Sequence, residues 1–78
     1  MNEQELRKMI EDGRRQIAKI RADIERQKNL ALRLLLTARN EKEIRVQQEI
    51  LLRLSENEAE LGTVEQQLNH VERMLSIL

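Results

Sequence analysis

The chain has no cysteine, no proline and no phenylalanine, tyrosine or tryptophan, and only two glycines among its 78 residues. Without cysteine there can be no disulfide framework and no thiolate metal site, so the fold does not depend on an oxidising compartment. Without aromatic rings there is nothing for bases to stack on, which argues against the usual single-strand nucleic-acid platforms. Long apolar runs are also missing. The longest is Leu34-Leu35-Leu36, far short of the roughly 18–20 residues of a membrane span, and Met9-Ile10 is too short for the apolar core of a secretory signal. These absences lead to the expectation of a cytoplasmic chain. Neither charge sign dominates: 14 Lys and Arg balance 14 Asp and Glu.

Helix formers fill what remains. Leu, Ile and Val supply 23 residues, enough apolar content to set the chain apart from disordered sequences, and no proline interrupts them. The apolar spacing is three and four residues. In heptad terms the first half has Ile10, Ile17 and Ile24 at a, with Leu6, Gly13, Ile20, Gln27 and Leu34 at d. The second half has Leu54, Leu61, Leu68 and Leu75 at a, with Ile50, Asn57, Val64, Val71 and Leu78 at d. The two series are out of phase: the first would place its next a at Arg45, whereas the second needs it at Gln47. A two-residue offset is neither a stutter nor a stammer, so the chain must break between the series. Asn40 with Glu43 has the form of a helix-capping box at that point. The expected fold is all-α, a single helical hairpin over residues 1–78, with helices over 3–38 and 41–77 and a turn near 39–41. Capping boxes at Ser55/Glu58 and Thr63/Gln66 would allow a further break near Gly62. The heptad nevertheless runs through Gly62 without changing phase.

A fold-back near Asn40 makes an antiparallel two-helix coiled coil whose facing core positions have residue numbers of constant sum. These include Leu6 with Leu75, Gly13 with Leu68, Ile17 with Val64, and Ile20 with Leu61. The e positions support that orientation. Arg7, Arg14, Arg21 and Lys28 line the first arm and Glu58, Glu65 and Glu72 the second, giving expected pairs Arg7–Glu72, Arg14–Glu65 and Arg21–Glu58, with Lys28 meeting Leu51. On the other flank Met9 would meet Met74, and Asp23 would meet Glu60 as the one like-charge conflict. Gln27 and Asn57 fall in adjacent core layers and are expected to form a buried polar layer that sets register, at some cost in stability.

The turn-proximal end has more apolar surface than a two-helix seam can bury. Leu30, Leu32, Leu35 and Leu36 lie there on the first arm, and Ile44, Val46, Leu51 and Leu52 on the second. Patches of this kind on small helical domains mark association. A homodimer of hairpins, as a four-helix bundle, is the favoured solution, and a hetero-partner helix the alternative.

Catalytic chemistry is not indicated. His70 is the lone histidine, at an outward c position, so a metal site lacks converging ligands. Ser55, Ser76 and Thr63 have no base arranged around them, and no glycine-rich phosphate loop occurs. The expectation is therefore no enzyme, no cofactor, no metal and no small-molecule substrate. Nucleic acid is a lesser prospect: residues 1–39 hold ten Lys and Arg against six Asp and Glu, but the second arm's carboxylates would cancel that field.

In architecture, the two similar arms and the inferred dimer resemble the plasmid Rop proteins of the helical-hairpin, four-helix-bundle class. That resemblance would imply RNA binding, but Rop-type proteins use aromatic residues absent here, so no site is carried over. In size and layout the chain is also similar to the two-helix co-chaperones of bacterial type III secretion. The complementary arm charges and the lack of Cys and aromatics resemble a de novo designed hairpin as well, although Gly13 in a core position and the Asp23/Glu60 conflict depart from that pattern.

Overall fold

The computed structural model describes residues 2–77 as two long α-helices, α1 (Glu3–Leu36) and α2 (Glu41–Ile77), packed antiparallel as a hairpin of 58 × 15 × 15 Å. Helix α1 starts at Asn2, whose side-chain Oδ1 accepts the Glu5 amide at 2.8 Å. The acidic Glu3 and Glu5 in the first turn complement the positive end of the helix dipole. This cap repeats the N-x-x-E spacing seen at Asn40. At Asn40 itself, Oδ1 accepts the Glu43 amide at 2.9 Å. The Glu43 carboxylate reaches back to the Arg39 amide at 2.8 Å, one residue before the usual capping-box partner.

Helix α1 ends at Leu36, two residues earlier than the periodicity predicts. Thr37 stops it without a left-handed residue: its backbone amide and its hydroxyl both donate to the Arg33 carbonyl, the hydroxyl at 3.1 Å. The hydroxyl also reaches the Leu34 carbonyl at 3.4 Å and the Ala38 amide donates to the Leu35 carbonyl at 3.3 Å, so carbonyls of the last turn find donors without a C-terminal glycine. Helix α2 is unbroken through Ser55 and Gly62, as the constant heptad phase requires.

The seam is narrower than the sequence pattern suggests. The buried residues are Ile10, Ile17, Ile24 and Ala31 of α1 with Leu54 and Leu75 of α2, each 3–7% exposed. All occupy a positions. Gly13 lies against Leu68, where a β-carbon on the glycine would stand 3.4 Å from Leu68 Cδ1. That contact carries the expected register. With heights counted from it, the a residues of the two helices alternate along the seam like the teeth of a zip: Leu75, Ile10, Leu68, Ile17, Leu61, Ile24, Leu54, Ala31. The d residues roll out to one side. Ile20, Leu34, Ile50, Val64 and Val71 are exposed, and so are Gln27 and Asn57. The expected buried polar layer is therefore corrected: these amides lie on an open flank in water, so they cost no desolvation. Leu78, which the periodicity places in the same d series, lies outside the described residues.

The amide with an enclosed atom is instead that of Gln47, half-buried at the a position nearest the turn. Its Oε1 is enclosed and accepts no hydrogen bond. An enclosed acceptor without a partner costs about 1–3 kcal/mol. Replacing Gln47 with Leu should therefore raise unfolding stability by about 1–2 kcal/mol in urea titrations followed by circular dichroism. Gly62 has open space where a side chain would project, so Gly62→Ala should add about 0.5–1 kcal/mol in the same assay through helix propensity alone.

Candidate functional site

The hairpin has two unlike flanks. The e positions close the first. Arg14 Nη2 donates to Glu72 Oε2 at 2.6 Å and to Asn69 Oδ1 at 2.8 Å. Arg21 pairs with Glu65 at 2.6 Å and Lys28 with Glu58 at 3.3 Å. Towards the turn the same flank continues with half-buried Leu35, Ile44 and Leu51, so ion pairs give way to apolar contact.

The sequence-derived pairing is off by one heptad. Arg14 was expected opposite Glu65 and meets Glu72; Arg21 was expected opposite Glu58 and meets Glu65; Lys28 takes Glu58 in place of Leu51. Arg7, expected opposite Glu72, turns within its own helix to Glu3 at 2.8 Å. The core register is unchanged, so the cause lies in side-chain direction. Every helical Cα–Cβ bond tilts towards its own N-terminus. Arg14 therefore leans towards the open end of the hairpin, and Glu72, which starts nearer that end, leans towards the turn. Those two converge. Arg14 and Glu65 lean apart, although their α-carbons are closer in height.

The opposite flank is open and mostly apolar. It carries the d residues together with Met9, Leu30, Val46 and Met74 at g. Met9 and Met74, expected to cover the seam against each other, remain 57% and 54% exposed. A shallow groove in the middle of this flank is lined by Ile20, Asp23, Gln27, Asn57, Glu60 and Val64, with Ile24 and Leu54 at its floor. Asp23 is ion-paired with Arg26. Glu60 has no ion-pair partner among the described residues.

The turn-proximal residues singled out from sequence thus fall into three groups. Leu30 and Val46 belong to the open flank. Leu35, Ile44 and Leu51 are half-buried on the charged flank. Leu32, Leu36 and Leu52 point away from both, and Leu36 is 86% exposed. The d residues Ile20, Val64 and Val71 were read as core and are here the middle of an exposed face. Only the unequal treatment of the two flanks, one with matched charges and the other mostly apolar, hinted at that in the sequence.

The accessible surface is 6557 Å², whereas a compact monomer of 9.3 kDa would expose about 5,000 Å². The excess is larger than the roughly 800 Å² that each partner gives to a standard interface. Among the described residues no cluster of three or more His, Asp or Glu side chains could hold a metal ion, and no helix is long and apolar enough to cross a membrane. No known family, characterised protein or solved structure matches the chain.

A double-mutant cycle checks the pairing on the charged flank. Arg14→Ala with Glu72→Ala should show a coupling of about 0.2–1 kcal/mol at low salt, and Arg7→Ala with Glu72→Ala should show none. Coupling in the second cycle and not the first would restore the pairing expected from sequence.

Proposed function

We propose that this chain is a non-catalytic self-association module whose working form is a homodimer of hairpins packed as a four-helix bundle. The observation that supports this most directly is the continuous open flank, where Met9, Ile20, Leu30, Ile50, Val64, Val71 and Met74 share one side of the molecule. In a four-helix bundle both a and d positions face the centre. Here the a positions are already satisfied within one chain, and the d positions are the ones that need a partner. Burying a Val or Leu side chain contributes about 1.5–3 kcal/mol, and several such residues compete with the entropic cost of pairing two chains.

Light scattering on the purified chain should give twice its 9.3 kDa mass. Val64→Asp, on the open flank and outside the seam, should weaken the dimer by more than tenfold while leaving the helical circular dichroism intact. A wild-type monomer at high micromolar concentration would refute the proposal.

A second reading rests on Leu32, Leu36 and Leu52. These lie at b and f positions near the turn, and a dimer formed through the d and g flank leaves them exposed. Under that reading they dock on a partner's amphipathic helix, as an adaptor or small co-chaperone would. Binding of RNA has less support, because Arg14, Arg21 and Lys28 are held by carboxylates of α2.

A further inference from the structure

The open flank is banded, and the bands are symmetric about its centre. On α1 the centre is Ile20: Gly13 and Gln27 stand one heptad to either side of it, and Met9 and Leu30 lie beyond them at nearly equal distances. On α2 the centre is Glu60. Arg53 and Gln67 stand one heptad to either side of it, and Val46 and Met74 two heptads. The Gly13–Leu68 contact puts Ile20 and Glu60 at almost the same height on the hairpin. Both helices therefore share one centre of pattern symmetry.

On the reading that the chain dimerises, we infer that the second copy lies along the full length of this flank with its turn at the opposite end. The two-fold axis passes beside Ile20 and Glu60. That axis places Ile20 over Ile20 of the copy, Leu30 over its Met9, Val46 over its Met74 and Arg53 over its Gln67. It also places Gln27 over Gly13 of the copy, a position whose own side-chain space is already taken by Leu68 of the same chain. Apolar ends thus meet apolar ends, Arg53 meets Gln67 and Gln27 meets Gly13, while near the centre of α2 Asn57 falls over Val64 of the copy. A two-fold interface requires this self-complementarity.

The other full-length arrangement, with both turns at one end, sets Asp23 against Glu60 of the copy twice and Leu30 against its Arg53. The antiparallel arrangement leaves one like-charge contact, Glu60 with Glu60 of the copy, and puts Asp23 beside its Gln16. Charge therefore selects the antiparallel orientation. Sliding by a heptad would lower the remaining repulsion but would expose the methionine end. Full overlap leaves neither end of the flank uncovered.

The absence of native cysteine makes the arrangement directly testable. A disulfide needs α-carbons about 4.4–6.8 Å apart. Under mild oxidation Ile20→Cys should cross-link to itself between chains, and an equimolar mixture of Met9→Cys and Leu30→Cys chains should give the mixed dimer. Cross-linking of Met9→Cys to Met74→Cys chains, with none between Met9→Cys and Leu30→Cys, would put the turns at one end and overturn the inference while leaving dimerisation standing. A chain that sediments as a monomer at every concentration would instead overturn the dimer reading itself. Glu60→Gln checks the axis without perturbing the apolar residues. It should tighten the dimer roughly two- to fivefold at low salt, and an unchanged or weaker dimer would move the axis away from Glu60.

Discussion

The a-position seam is the interaction on which the rest of this molecule depends. Two helices can bury only a narrow stripe between them, and here the stripe is a single file of Ile, Leu and Ala drawn alternately from α1 and α2. Once the helices roll far enough to interleave these residues, the d positions must turn to one side. The e positions come together on the other, where long Arg and Lys side chains can reach the glutamates. The division into a charged flank and an apolar flank follows from that roll. Gly13 helps, because the absence of a side chain at that height lets Leu68 approach the α1 backbone.

The ion pairs have a lesser energetic role. Arg14–Glu72 and Arg21–Glu65 are each more than a third exposed, and exposed pairs contribute only about 0.2–1 kcal/mol each. Their effect is on choice. Acidic e positions facing basic ones favour the antiparallel pairing of α1 with α2 along this flank within one hairpin, and the other flank carries only Asp23, Arg53 and Glu60 as charges. Exposed apolar faces of this kind mark association sites on small proteins, and the proposed dimer interface is placed on this one for that reason. That placement also gives Glu60 an unusual position, as an uncompensated carboxylate in the middle of the face otherwise best suited to a partner.

Much of the fold is legible in the sequence. The two heptad series, their phase break and the N-x-x-E spacing at Asn40 located both helices and the turn to within two residues. They also indicated that Gly62 would not break α2. The misreadings share one origin. Heptad letters treat a and d as equivalent core positions, so they predict Gln27 and Asn57 buried when these lie on the open flank, and they give Gln47 the same a letter as the leucines without marking that its Oε1 is enclosed near the turn. The ion pairs were misassigned by one heptad because residue spacing along the axis says nothing of the lean of the side chains. Thr37 as the stop of α1 could have been noticed, since its hydroxyl can reach carbonyls of the preceding turn, but nothing in the hydrophobic pattern marks it.

The sequence by itself determined the elements, their order, their antiparallel pairing and the register at Gly13 and Leu68, because periodicity and capping are local properties and an apolar stripe must meet another. Only the tertiary structure decided which half of each stripe is buried and which is left open. That choice depends on how far two helices roll about their own axes, and so on the volumes packed at each height. No residue carries that information alone.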